Sequence, residues 1–319
     1  MKIIKGLKQA KELLSRRPLD SLDYETLRPG IRTLYGKDLS LEETVKEIIE
    51  EVKQKGDAAL IDLTERIEGL TLEKLEVSGE EKMLARESVD KELLSALEIA
   101  ARRIHAYHEK QIRHSSFDFN EGGVGYIIRA IEKVGLYSPS GARGYPSTVL
   151  MSAIPAKIAG VQEIIVCTPS GRNGRVSATT LAAAELAGVH RIFSIGGAQA
   201  IAAMAFGTES IPKVDKICGP GNIFVVLAKK MVFGYTGIDG LAGPTETIIL
   251  ADQTADPAIC AADLLAQAEH DVMASAILIT DSRHLAQTVE QELDKQLATL
   301  ERSAIAGASL EQRGGIVMV

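Results

Sequence analysis

Through the first third of the chain, apolar residues recur at helical spacing. In SLEETVKEIIEEVKQKGDAALIDLTERI, from Ser40 to Ile67, they fall on one side of a 3.6-residue period, with Glu and Lys opposite. Ser40 and Glu43 have the spacing of a capping box, and Gly56 with Asp57 splits the stretch into two helices. SGEEKMLARESVDKELLSALEIAARRIHAYHEKQ reads as a second helical block. His105 and His108 stand three apart in it, which resembles a metal pair. Arg102, Arg103 and Lys110 around them favour a solvated helix face instead.

From about Val124 the pattern changes to short apolar strands separated by glycine-containing loops and helices. KVGLYSP, EIIVCTP, RIFSIG, KVDKICGP, ETIILAD, ASAILIT and GGIVMV read as strands. SATTLAAAELAG and NIFVVLAKKMVFG are among the helices between them. Buried strands alternating with helices predict an α/β fold with mostly parallel sheets, since parallel neighbours need a crossover. Ligands of such sheets bind beyond the carboxyl ends of the strands. Gly141, Gly144, Gly196, Gly197, Gly219 and Gly221 lie in those loops and permit close approach of backbone to a ligand. Helix starts after them offer free N–H groups to an anion such as pyrophosphate. No loop spells G-x-G-x-x-G, because GPGNIF has Phe224 at the third position. The pattern therefore predicts a Rossmann-like architecture more firmly than a nucleotide; tight turns use the same glycines.

Composition narrows the function classes. Across 319 residues, 45% are hydrophobic, enough for one large or two ordinary cores. A net charge of −7, 4% aromatic residues and no Trp disfavour a nucleic-acid surface. Cys167, Cys218 and Cys260 are scattered, as in a reducing cytosol rather than in a disulfide framework. Cys218, beside a glycine loop, reads as a small half-buried side chain. The opening MKIIKGLKQAKELLSRR is too interrupted by charge for a signal peptide, and no apolar run spans a membrane. The expectation is a cytoplasmic protein with neither nucleic-acid nor membrane partners.

One stretch stays open on these grounds. LLAQAEHD, Leu264 to Asp271, begins as an apolar helix and ends in Gln267, Glu269, His270 and Asp271. Gln267 and His270, three apart, share a helix face and can offer an amide oxygen and an imidazole nitrogen to one ion. A polar, frayed helix end has the same composition.

GLYSPSGARGYPSTVLMSAIPAKIAGV, GGAQAIAAMAFGTESIPKVDKICGPGN, GLAGPTETIILAD and DLLAQAEHD occur in this order. Together they closely resemble the histidinol dehydrogenase family, from the N-terminal helices to the last residue. The resemblance implies oxidation of L-histidinol to L-histidine through the aldehyde, the last steps of histidine biosynthesis. It implies two NAD molecules reduced in turn, a zinc ion anchoring the substrate, and a homodimer that exchanges its C-terminal parts. Residue by residue, Tyr137, Gln199 and Asn222 match NAD-contacting positions. Thr245 matches a substrate contact, and Gln267 and His270 match two zinc ligands that also face the substrate.

The resemblance also implies two Rossmann-like domains: residues 1–136 as N-terminal helices and the start of domain 1, residues 137–245 as an inserted NAD-contacting domain 2, and residues 246–319 as the return to domain 1. The chain ends at GGIVMV, whereas the family continues for a segment holding a Glu–His acid–base pair and further zinc ligands. His284 and Glu290 lie on a different helix and do not match those roles. The expectation is thus a histidinol dehydrogenase by family with its C-terminal segment absent, inactive as a 319-residue chain. The alternative is a catalytically dead nucleotide- or ligand-binding module.

Overall fold

A computed structural model describes residues 1–15, 28–114, 118–139, 144–171, 173–242 and 245–319. The chain begins with strand β1 (Ile3–Lys5) and helix α1 (Leu7–Leu14), followed by α2 (Arg28–Tyr35). Ser40 starts α3 (Leu41–Lys55) through the expected capping box: its Oγ accepts from Glu43 N at 3.2 Å, and Glu43 accepts from Ser40 N at 2.8 Å. Gly56, at φ +55°, turns the chain into α4 (Asp57–Glu68). A second capping box, Ser78 with Glu81, opens α5 (Gly79–Ser88), and Asp90 caps α6 (Lys91–Arg113). On α6, His105 Nδ1 lies 3.8 Å from Glu109, and His108 Nδ1 lies 2.7 Å from Gln111 Oε1, so each ring faces its own helix surface.

An antiparallel hairpin, β2 (Phe119–Glu121) and β3 (Val124–Tyr126), leads into β4 (Lys133–Tyr137). Then the alternation predicted from the sequence appears. It runs α7 (Pro146–Ile158), β5 (Glu163–Thr168), α8 (Ala178–Ala187), β6 (Arg191–Ser194), α9 (Gly197–Phe206), β7 (Lys216–Cys218), α10 (Ile223–Val232) and β8 (Gly237–Ile238). These strands form a parallel sheet in the order β6-β5-β4-β7-β8. The order reverses beside β4, so β4 and β7 flank a topological switch point, where open α/β sheets leave a crevice.

The last part of the chain supplies β9 (Glu246–Leu250), α11 (Pro257–Ala268), β10 (Ser275–Thr280), α12 (Arg283–Leu297), α13 (Ser303–Arg313) and β11 (Gly315–Met318). Here the parallel order is β1-β11-β10-β9, so the N-terminal strand pairs with GIVM. Leu264, Leu265, Leu278, Leu285, Val289 and Ile316 pack as its core.

By compactness the chain divides into residues 1–22 with 242–319, and residues 23–241. The reading from sequence expected an insertion over 137–245 with the N-terminal helices belonging to the return segment. The core explains the difference. Val45, Ile48 and Val52 of α3 and Leu60 and Leu63 of α4 bury themselves with Ile201 and Met204 of α9 and Ile165 and Ile217 of the five-stranded sheet. Leu97 of α6 joins Leu150, Ile154 and Leu181 on the opposite layer. Those helices are the outer covering of that sheet, because an amphipathic stripe goes where an apolar layer needs closing. Among the described residues, no helix is long and apolar enough to cross a membrane.

Candidate functional site

In the unit formed by residues 23–241, Tyr137 ends β4 and Asn222 follows β7, the strands that flank the switch point, and Gln199 lies on α9 after β6. Tyr137 is the last residue of β4 and is 3% exposed. Its phenol oxygen accepts from Gly197 N at 3.1 Å. Burial pushes the phenol up to about 12, against the lowering effect of the Gly197 N–H, and the Glu68 carboxylate adds to the rise. Tyr137 is therefore a neutral group that fixes the start of α9.

Gln199 lies in the first turn of α9 and is 1% exposed. Among the described residues, neither its Oε1 nor its Nε2 has a hydrogen-bond partner, and the Ser138 hydroxyl just past Tyr137 is likewise buried without one. Buried amides without partners are costly, and a ligand is one way to satisfy them. Gly197 sits at φ +66°, and a Cβ there would lie 2.5 Å from Gln199 Oε1. The glycine is needed for the amide to fold back over the helix start.

The CGPGN loop follows β7. Gly219, at φ +119°, lies so close to the Tyr137 carbonyl oxygen that any Cβ would overlap it. Its N–H donates to Asp239 at 2.7 Å, and its carbonyl accepts from Lys229 Nζ at 3.0 Å. Lys229 and Asp239 are also ion-paired. Asn222 then caps α10: its Oδ1 accepts from Phe224 N at 3.1 Å and Val225 N at 3.2 Å. The cap consumes the amide oxygen, so only the exposed Nδ2 is left to meet a ligand. Burial raises the half-buried Cys218 thiol, with the Asp239 carboxylate adding to it, which fits a structural side chain. Gly144, at φ +72°, packs against Thr180 and Ser177, while Gly141 lies outside the described residues.

In the unit formed by residues 1–22 and 242–319, the other expected residues gather at the amino end of β9 and β10. Thr245 precedes β9, and its carbonyl accepts from Ser275 N at 3.1 Å. Gln267 is in the last turn of α11; His270 lies past the helix, in a turn where its N–H reaches the Gln267 carbonyl at 3.3 Å. The i, i+3 spacing survives, yet His270 is a turn residue rather than a helical one. It is exposed, and Gln267 is half-buried. Gln267 Oε1, the atom a metal would use, accepts from Thr247 Oγ1 at 3.1 Å. Among the described residues, no group of three or more His, Cys, Asp or Glu could hold a metal ion. An amide oxygen and an imidazole are fewer donors than the three or four of a zinc site, so these two do not complete one.

Thr247, Lys229, Asp239, Ser138 and Glu68 were not singled out from sequence. Lys229 had a signal: it stands four residues after Val225 on an otherwise apolar helix face, which a lysine occupies only with a partner. The partners Asp239 and Thr247 come from other segments and leave no local trace.

A family profile described as histidinol dehydrogenase matches residues 34–319. A curated histidinol dehydrogenase of Dehalococcoides mccartyi (strain CBDB1) is 50% identical over 323 residues, covering 100% of this chain and 73% of its own length. That of Streptococcus mutans is 51% identical, covering 88% of this chain and 66% of its own length. The crystal structure of histidinol dehydrogenase from Elizabethkingia anophelis superposes with a TM-score of 0.87 at 33% identity, over 100% of this chain and 71% of that one. The chain thus spans about two thirds to three quarters of the length of these relatives.

Proposed function

The chain belongs to the histidinol dehydrogenase family, a family of oxidoreductases, and from that premise we propose that residues 23–241 take NAD and residues 245–270 contribute to holding L-histidinol and zinc. The reaction is oxidation of L-histidinol to L-histidine through the aldehyde, in histidine biosynthesis. The observation that supports the cofactor part is the buried Gln199 amide, unpartnered among the described residues, on the first turn of α9, whose Gly197 N–H bonds the Tyr137 phenol. An amide donates and accepts at once, which suits the hydroxyl and amide groups of a dinucleotide.

Tyr137 fixes the start of α9 through Gly197 and presents a neutral phenol. Gln199 supplies a preformed donor and acceptor. Asn222 donates from Nδ2 while its oxygen keeps α10 capped. NAD, when bound, supplies the hydride acceptor. Gln267 and His270 are two ligands of a zinc site whose other ligands lie outside the described residues, and Thr245 touches substrate beside them. No described residue is assigned the general-base role. The whole enzyme's homodimer, with exchanged C-terminal parts, belongs to the same proposal.

The test is NADH absorbance with L-histidinol, NAD and zinc, using the 319-residue chain beside the Elizabethkingia anophelis enzyme. The 319 residues, as such, turn over below about a hundredth of the control, the scale of a missing acid–base group. Turnover near the control would show that these residues already contain the base.

A further inference from the structure

Glu68 ends α4. Its carboxylate is half-buried and makes no hydrogen bond or ion pair among the described residues. A Cβ placed on Gly196 would lie 3.2 Å from Glu68 Oε1 and 2.5 Å from Pro169 Cγ, so the carboxylate stands over the loops that follow β5 and β6. Gly196 is the N-cap of α9 and brings no side-chain cap. The helix start therefore already has an anion beside it, and a phosphate placed there would meet like charge.

The sheet order gives this position a meaning. Counted from β4, the strands run 3-2-1-4-5, the order of a doubly wound dinucleotide-binding sheet through its fifth strand, with β5 in the second place. In such folds the adenosine ribose lies beyond the second strand, where an acidic side chain accepts from its hydroxyls. Here β5 runs into Thr168, Pro169 and Ser170, with no acid of its own. Glu68 arrives at that place from another element. The unpartnered Gln199 amide, 1% exposed on the first turn of α9, points independently to a ligand at the same helix start.

We infer that Glu68 sets the choice of cofactor: its carboxylate accepts the adenosine ribose hydroxyls of NAD and repels the 2′-phosphate of NADP. This rests on the reading of Tyr137, Gln199 and Asn222 as the dinucleotide contacts. Burial holds the Glu68 carboxyl above the usual carboxylate range, and hydroxyl donors from a ribose would compensate that lost hydration.

Calorimetric titration of the 319-residue chain with NAD and with NADP decides it. The wild-type chain binds NAD more tightly by about tenfold or more, the effect of a like-charge clash. Glu68→Gln brings the two affinities to within about threefold, mainly by tightening NADP. Gln199→Ala weakens both nucleotides together. A ratio unchanged in E68Q, with Q199A still weakening NAD, overturns the role of Glu68 alone. NAD binding indifferent to Q199A, or no binding of either nucleotide to the wild type, overturns the cofactor reading and this inference with it. A purely structural Glu68 would move the melting temperature and leave the ratio fixed. Should E68Q not fold, Glu68→Asp keeps the charge: it goes on rejecting NADP while losing several-fold in NAD. Equal binding of both nucleotides to E68D would contradict the inference.

Discussion

Lys229 and Asp239 hold Gly219 through the peptides on its two sides: the ammonium donates to its carbonyl at 3.0 Å, and the carboxylate accepts from its N–H at 2.7 Å. The lysine is 2% exposed and the aspartate 39%. The pair fixes the residue whose Cα passes hard against the Tyr137 carbonyl, and Asn222 follows three residues later. Removing the ammonium leaves the Gly219 carbonyl without its donor and the Asp239 carboxylate, which keeps the Gly219 and Gly240 N–H groups, without its counter-charge. For a fully buried pair the loss is several kcal/mol; with Asp239 partly hydrated, Lys229→Met costs about 2–3 kcal/mol. Urea denaturation at neutral pH measures it, and a cost below about 0.5 kcal/mol would show that the pair does not brace the loop.

The proposed NAD contact of Asn222 is separable from its role as the cap of α10. Asn222→Asp keeps an oxygen for Phe224 N and Val225 N, so stability changes by less than about 0.5 kcal/mol. It removes the Nδ2 donor, and NAD affinity falls about tenfold, the worth of one hydrogen bond to a charged ligand. Asn222→Ala loses the cap as well and costs about 1 kcal/mol of stability. If N222D binds NAD as the wild type does, Asn222 is a helix cap only.

At Gly219 a side chain has no room. Gly219→Ala puts a Cβ onto the Tyr137 carbonyl oxygen at a φ of +119°, so the loop must move. A destabilisation of about 3 kcal/mol or more is expected, accompanied by loss of NAD binding. Thermal unfolding followed by circular dichroism checks it; an unchanged melting temperature would contradict the described loop geometry. Gly174, also at positive φ but in open space, is the control, with G174A costing about 1 kcal/mol.

Gln267 and His270 alone make a weak metal site. Equilibrium dialysis of the 319-residue chain should show zinc held well below one equivalent at micromolar metal, and His270→Ala should lower it further. One tightly held zinc per chain, kept in H270A, would contradict both the incompleteness and the ligand role. Thr247→Val frees Gln267 Oε1 from its hydrogen bond and should raise zinc retention slightly.

The elements were legible where the chemistry is local. The capping boxes at Ser40 and Ser78, the break at Gly56, and the strands from KVGLY to GIVM follow from neighbours in sequence. The partition of the chain was not legible, because the faces of α3 and α4 say that they are buried without saying against what. The pairing of Ile3, Ile4 and Lys5 with β11 was missed for the same reason: three residues carry no period, and their partners lie over three hundred positions away. At the site, Tyr137, Gln199 and Asn222 were named from long motifs. That Gln199 is buried without partners, and that Asn222 has already given up its oxygen, are properties of three-dimensional neighbours. Glu68 reads in sequence as the end of a helix before Gly69 and nothing more.

The central claim, that the switch point of the five-stranded sheet takes NAD through Tyr137, Gln199 and Asn222, is tested most directly by amide NMR on the 319-residue chain titrated with NAD. The account predicts saturable shifts at Gly197 N–H, Gly219 N–H and the Gln199 and Asn222 side-chain amides, with Leu278 and Val289 of the other unit's core unmoved. Shifts confined to residues away from β4, α9 and the CGPGN loop, or none at millimolar NAD, would contradict it.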